Sequence, residues 1–115
     1  MKLPSEAYLL RIFVGESDKA DGRPLHEVIV ENARTRGLAG CTVLRGILGF
    51  GANSRIHTSK VLRLSEDLPI VVELVDSEEN IRAFLPQLDA LIGEGLVTLE
   101  EVRVITYRHS EEPDE

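Results

Sequence analysis

The sequence predicts an α+β sandwich of the split βαββαβ type, a ferredoxin-like four-stranded antiparallel sheet with two helices on one face. Stretches in which apolar residues alternate with other residues are followed by stretches in which they recur every three or four positions. The chain has 115 residues, of which 43% are apolar, so it suffices for one domain and excludes a multidomain enzyme. We therefore expect residues 1–115 to form a single domain.

The first half of the chain predicts a strand, a helix and a second strand. Residues 7–14 predict the first strand, with one apolar face at Tyr8, Leu10, Ile12 and Val14. A loop over residues 15–23 precedes a helix that begins at Pro24 and ends at Gly37. Residues 41–48 predict a strand that glycines interrupt, and about twenty residues then connect it to the next strand. Connections of that length in a small domain are usually functional.

The second half predicts a strand, a helix and a last strand. Residues 69–75 begin with a proline and alternate in the manner of a strand. Asp76, with Glu79 three residues on, resembles a capping box and predicts a helix that runs to Gly93. Pro86 lacks an amide donor and predicts a kink or a split in this helix. Residues 102–107 alternate again and predict the final strand.

Charge is distributed unevenly along the chain. The net charge of -7 argues against indiscriminate binding to nucleic acid or to an anionic membrane. Residues 1–63 nevertheless hold ten cations and six acids, and residues 34–63 contain no acid at all. If the chain binds an anion, this basic segment is where we expect it. Residues 109–115 predict an acidic, solvated tail.

Other chemistry finds little support in the sequence. No signal segment or membrane span is visible, and the single cysteine, Cys41, indicates a reducing compartment, so we expect a cytoplasmic location. Cys41 has no identifiable histidine partner, and His26, His57 and His109 lack ligand spacing. We therefore predict neither an enzyme nor a metal site within one chain, although a metal site that His57 builds with neighbouring copies stays open.

Two glycine-rich turns are the candidate anion site. They are Gly49, Phe50 and Gly51 after the second strand, and Gly93, Glu94 and Gly95 after the second helix. Backbone amides exposed by glycines in a tight turn form a concave nest of donors, and nearby guanidinium groups bind phosphate bidentately. A strand bulge and a helix C-cap would also require glycine at these places.

These motifs together resemble the nitrogen regulatory PII proteins, which belong to a superfamily with the copper-tolerance proteins. The shared features are a Gly-x-Thr-Val strand, a Gly-Phe-Gly turn before a long T-loop, a glycine turn after the second helix and a Glu-Glu-rich last strand. The closer resemblance is to the PII-like domain-of-unknown-function-190 family. Its patterns Thr-Val-x-Arg-Gly-x-x-Gly-Phe-Gly, Ile-His-Thr and Leu-Ser-x-Asp-Leu-Pro occur here at residues 42–51, 56–58 and 64–69.

The resemblance implies a homotrimer that binds an adenine nucleotide (ATP, ADP or AMP, with or without Mg²⁺) in clefts between subunits. Residues 49–68 would form the T-loop, which signals occupancy to a partner such as a membrane transporter or an enzyme. By resemblance Thr42 approaches the base, the turn at residues 49–51 passes the phosphates, and further nucleotide contacts fall at residues 93–95 and at Arg103.

The sequence also departs from the PII pattern. Leu96 and Ile105 stand where PII proteins place cationic phosphate contacts, and the spacing from Thr42 to Gly49 is one residue longer. The candidate replacements for the missing phosphate contacts are Arg45, Arg55, Lys60 and Arg108. The alternative function is therefore a PII-shaped structural or divalent-metal-binding module that binds no nucleotide.

Overall fold

The computed structural model describes residues 3–51 and 67–108, which form an antiparallel sheet with two helices packed on one of its faces. The elements in chain order are β1 (Glu6–Gly15), β2 (Lys19–Ala20), β3 (Arg23–Pro24), α1 (Leu25–Thr35), β4 (Thr42–Arg45), β5 (Pro69–Asp76), α2 (Glu78–Leu91) and β6 (Leu96–Arg103). The sheet order is β4-β5-β1-β6, with every neighbouring pair antiparallel. The predicted ferredoxin-like fold is confirmed, and β2 and β3 add a short hairpin within the predicted loop.

The core lies between the helices and one face of the sheet. Alternate residues of the two central strands face the helices, and both helices bury an apolar stripe, as the burial of each element shows. The core cluster contains Leu10, Ile12, Val14, Leu25, Ile29, Ala33, Ile70, Val72, Leu74, Ile81, Phe84 and Leu88. The apolar face predicted for the first strand is thereby confirmed, with Tyr8 packed against the cluster.

The start of α2 differs from the prediction. The N-cap is Ser77, whose Oγ accepts a hydrogen bond from the Asn80 amide at 3.1 Å. Asp76, predicted to begin the helix, is instead buried, and its carboxylate accepts hydrogen bonds from the Ala39 amide and the Ser77 amide, both at 2.7 Å. This buried carboxylate therefore ties the loop after α1 to the start of α2. The helix continues through Pro86 without a split.

The last strand lies earlier in the chain than predicted. β6 pairs with β1 from Phe13↔Leu96 to Glu6↔Arg103, so residues 104–107 come after the strand and not within it. A Cβ on Gly95 would lie 2.7 Å from the Phe13 carbonyl oxygen, and only glycine permits this close approach where β6 begins. β4 is also shorter than the predicted strand at residues 41–48. Within the two described ranges, no helix is long and apolar enough to cross a membrane.

Candidate functional site

One part of the candidate site lies on the β4 edge of the sheet. Thr42, the first residue of β4, is exposed and lines a cavity of about 340 Å³. The segment after β6 forms another wall of this cavity through Val104, Thr106 and Tyr107. The Tyr107 hydroxyl donates a hydrogen bond to the Ala39 carbonyl at 3.2 Å, so the end of the described chain is held beside the start of β4.

The first glycine turn packs against the beginning of β5. The Gly46 amide donates a hydrogen bond to the Pro69 carbonyl at 2.8 Å. A Cβ would lie 2.8 Å from Pro69 Cγ at Gly46 and 3.1 Å from it at Gly49, so side chains there would push the turn off the proline ring. Phe50 is 70% exposed. The turn therefore packs Gly49 against the proline and presents Phe50 and Gly51 to solvent at one corner of the sheet.

The second glycine turn lies on the β6 edge. Gly93, Glu94 and Gly95 are exposed and connect α2 to β6. Leu96, which follows them, is 56% exposed, and Ile105 is 85% exposed. Exposed apolar side chains thus occupy both places where the resemblance to PII proteins implies cations.

The two turns lie at the same end of the sheet but at opposite edges. Arg45 is opposite Ile70, Gly15 is opposite Pro69 and Leu96 is opposite Phe13, so all these pairs mark one end of the sheet. Because β5 and β1 lie between β4 and β6, the edge strands are about 14 Å apart.

Arg103 occupies the other end of the β6 edge. It lies opposite Glu6 in the register and lines a cleft of about 410 Å³ together with Tyr8, Glu78 and Glu101. The Tyr8 hydroxyl donates a hydrogen bond to Glu101 at 3.2 Å, and desolvation together with this bond raises the pKa of Tyr8. Within the described residues, one chain therefore does not gather Thr42, both turns and Arg103 into one cavity.

The candidate phosphate-binding cations are placed differently from one another. Arg45 is paired with Glu16, with 2.9 Å between Nε and Oε2. Arg108 is exposed and follows Tyr107 beside the β4 edge. Arg55 and Lys60 lie outside the described residues, as do His57, most of the predicted T-loop and the acidic tail.

The sheet face without helices combines apolar side chains with a central charge cluster. Register partners share a face, which puts Phe13, Leu44, Val71 and Leu96 together there. Phe13 and Val71 therefore lie on this face, whereas Tyr8 and Val72 lie on the helix-facing side. The charge cluster consists of Arg11, Glu73 and Glu100. Arg11 Nε lies 2.9 Å from Glu73 Oε2, and Arg11 Nη1 lies 3.2 Å from Glu100 Oε1. The hydrogen bond to Glu73 raises the pKa of Arg11.

Within the described residues, neither Cys41 nor a cluster of metal-ligating side chains provides a second candidate site. Burial raises the pKa of the Cys41 thiol, which favours the unreactive neutral form. No group of three or more His, Cys, Asp or Glu side chains suited to a metal ion occurs within residues 3–51 and 67–108.

Comparison with known proteins assigns the chain to a family. The sequence profile of the DUF190 family, described as "Uncharacterized ACR, COG1993", matches residues 7–104. The chain is 43% identical over 97 residues to a UPF0166 protein of Aquifex aeolicus, a match covering 84% of this chain and 91% of that protein. It is 35% identical over 100 residues to a UPF0166 protein of Methanocaldococcus jannaschii, covering 86% and 92% of the two chains. The chain belongs to the DUF190 family.

Solved structures show that the fold is PII-like. A PII-like protein from Thermus thermophilus superimposes with a TM-score of 0.60 at 21% identity, covering 91% of this chain and 94% of that one. CPII from Thiomonas intermedia, in its complex with ADP and bicarbonate, superimposes with a TM-score of 0.55 at 19% identity, covering 86% and 88%. A further CPII structure contains ADP, AMP and acetate, with a TM-score of 0.54 at 18% identity and coverage of 90% and 92%.

Proposed function

We propose that this chain is a non-enzymatic PII-like regulatory protein of the cytoplasm, which assembles as a homotrimer and binds an adenine nucleotide between neighbouring copies. Its long connection between β4 and β5 would signal occupancy to a partner protein. The observation that carries the proposal is the position of the two glycine turns, at one end of the sheet but on opposite edges.

In a ring of identical copies, the two glycine turns on opposite edges would meet between neighbouring copies. In a ring of identical copies each interface is heterologous, so one surface of a copy meets a different surface of the next. If the β4 edge of one copy meets the β6 edge of its neighbour, Thr42 and the turn at residues 49–51 come to face the turn at residues 93–95. Two nests of backbone amides would then face a single bound phosphate chain.

The face without helices supports assembly independently. Leu44 is 48% exposed and lies opposite Val71, while Leu96 lies opposite Phe13. Large apolar side chains grouped on one sheet face are typical of an interaction surface. Packing this face against other copies would bury it, and the trimeric number follows from the resemblance to PII proteins.

The nucleotide complexes of CPII suggest which ligands to test first. A thermal-shift panel of ATP, ADP, AMP, cyclic AMP and NAD, with and without Mg²⁺, is the direct experiment. At a hundredfold excess over Kd, binding to the native state alone adds about 2.7 kcal/mol of stability, which raises Tm by several degrees. A flat response to the whole panel would exclude an adenine nucleotide as the effector.

A complementation experiment tests whether the site lies between copies. Gly51 and Gly93 have open space around an added Cβ, so Gly51→Leu and Gly93→Leu should fold and obstruct the site from opposite sides. Each variant alone should lose binding. Trimers mixed from equal amounts of the two should recover about one quarter of the sites, because that share of heterologous interfaces joins two intact surfaces. No recovery in mixed trimers would place the site within a single chain.

A second candidate is a PII-shaped module that contacts a partner protein without a nucleotide. The exposed apolar side chains of Leu96 and Ile105 favour it, because they replace cations that would bind phosphate. This candidate predicts no shift with any nucleotide. A shift with Cu²⁺ or Zn²⁺ alone would favour its metal-binding form.

A further inference from the structure

We propose that residues 15–18, between β1 and β2, form a clamp that holds both ends of the long connection and so positions the glycine turn at residues 49–51. The inference rests on the proposed function, since it assigns positioning residues to that nucleotide site. Glu16 carried no predicted role in the sequence, and Asp67 entered it only as a member of the family motif at residues 64–69.

The clamp holds the first end of the connection through an ion pair. Arg45, the last residue of β4, places Nε 2.9 Å from Glu16 Oε2 and Nη2 3.3 Å from Oε1. Such a two-point contact fixes the direction of the guanidinium group as well as its distance. Gly46, next in the chain, is then bonded through its amide to the Pro69 carbonyl.

The clamp holds the second end through neighbouring residues. Asp67 Oδ1 accepts hydrogen bonds from the Ser17 amide at 3.0 Å and from the Ser17 hydroxyl at 2.9 Å. The Glu16 amide donates to the Leu68 carbonyl at 2.8 Å. A Cβ on Gly15 would lie 2.8 Å from Asp67 Oδ1, so the glycine leaves room for this carboxylate.

The clamp is itself fixed to the core elements. Asp18 Oδ2 accepts a hydrogen bond from the Gly15 amide at 2.9 Å, which closes the loop on itself. The Asp18 carbonyl accepts a hydrogen bond from the Leu25 amide at 2.8 Å, at the first residue of α1. Because Glu16 and Ser17 are adjacent and hold different ends, a displacement of one end is passed to the other.

Pro69 connects the clamp to the candidate phosphate turn. It follows Leu68, which the clamp holds, and Gly46 and Gly49 both pack on its ring. Loss of the clamp should therefore misplace the turn and weaken nucleotide binding. The competing explanation is that Glu16 occupies Arg45 in place of a phosphate, in which case loss of Glu16 would free Arg45 and strengthen binding.

Two variants separate these explanations by the sign of their effect. Glu16→Gln weakens the contact with Arg45, whereas Asp67→Ala removes the second attachment and leaves Arg45 untouched. The clamp predicts that both raise the nucleotide Kd by about twofold to fivefold, the range for loss of an exposed polar pair. Tighter binding by Glu16→Gln with no change in Asp67→Ala would overturn it, as would two unchanged Kd values. Isothermal titration with ADP provides the measurement.

A matched control removes the effect of general destabilisation. Arg23 and Glu31 form another exposed carboxylate–guanidinium pair, which joins β3 to α1 and does not hold the connection, and Glu31→Gln weakens it in the same way. The clamp predicts an unchanged ADP Kd for Glu31→Gln. If the ADP Kd rises as much in Glu31→Gln as in Glu16→Gln, the contacts of residues 15–18 only stabilise the fold in general and do not position the turn.

Amide hydrogen exchange tests the clamp even if the protein binds no ADP. The Gly46 amide, bonded to Pro69, should exchange about twofold to fivefold faster in Glu16→Gln and Asp67→Ala, while the Ile29 amide in α1 keeps its wild-type rate. Unchanged exchange at Gly46 would overturn the clamp. Wild-type protein that binds none of the nucleotides in the thermal-shift panel, together with faster Gly46 exchange in the variants, would refute the proposed function and retain the clamp.

Discussion

The two faces of the sheet differ in how they complete their packing. Along the central strands the face toward the helices is closed within one chain, because β1 and β5 bury Leu10, Ile12 and Val72 against α1 and α2 with no exposed surface. The opposite face presents large apolar residues around the charges of Arg11. One face therefore stabilises the fold, and our proposal assigns the other face to assembly, so substitutions on the two faces should have different effects.

The largest effect is expected on the closed face. Phe84 has no exposed surface, and Phe84→Ala should cost about 3–5 kcal/mol through lost burial and a cavity. Urea denaturation at a fixed protein concentration measures the loss, since the stability of an oligomer depends on concentration. A cost below about 1 kcal/mol would mean that the helix-facing core can refill the space.

On the open face, we expect a substitution to weaken assembly and to leave the fold intact. Leu44→Glu places a charge among the apolar residues of that face, so the molecular mass in light scattering should fall from trimer toward monomer while the circular dichroism of the fold is retained. Ala90→Glu, at an exposed position of α2, is the control and should keep the trimer. An assembled Leu44→Glu variant, or a wild-type monomer at micromolar concentration, would show that this face is not the interface.

A smaller effect concerns the charge cluster at the centre of the open face. Arg11 faces two carboxylates, so burial of this face would carry an excess negative charge that Glu100→Gln removes. Sedimentation over a dilution series should therefore show tighter assembly for Glu100→Gln, by at most about 1 kcal/mol because the cluster is partly exposed. Arg11→Met leaves both carboxylates unpaired and should weaken assembly. If the two variants assemble equally tightly, the charge cluster does not lie in the interface.

The smallest effect tests Cys41, which lies just before the edge strand β4. Burial raises the pKa of its thiol, so the thiolate is less populated in the folded chain than in the unfolded chain at the same pH. The rate at which iodoacetamide reacts with Cys41 should rise with pH. The midpoint of this rise should lie at a higher pH in the folded protein than in urea-unfolded protein. By linkage, Cys41 favours folding below the thiol's unfolded pKa, and this contribution is lost as pH rises through its folded pKa. A midpoint equal to that of unfolded protein would contradict the burial.

Much of the fold was predictable because its signals are local. Period-two alternation placed β1 and β5 to within a residue or two, since each buries one face against the helices. The helical stripes of α1 and α2 were equally clear. β6 was misplaced because Leu96–Arg103 lies at a sheet edge and mixes polar and apolar residues on both faces, whereas the alternation of residues 102–107 continues past Arg103, where the strand ends.

The candidate site, like the fold, was predictable from the sequence only in part. Sequence motifs alone proposed Thr42 and both glycine turns as site residues, and close approach of other atoms explains the glycines at Gly49 and Gly95. They did not reveal that the turns lie on opposite edges, since edge position depends on the order in which strands pair. They also offered Arg45 as a phosphate contact without its partner Glu16, which is 29 residues away in the chain.

The order of elements, the helix-facing core and the family resemblance follow from the sequence alone, because periodicity and short motifs are properties of neighbouring residues. The composition of the open face, the start of the last strand and the way in which the ends of the long connection are held emerged only in three dimensions. Those features depend on contacts between residues far apart in the chain, such as Ser17 with Asp67 and Arg11 with Glu100. Their geometry is fixed when the sheet forms, and no local pattern encodes it.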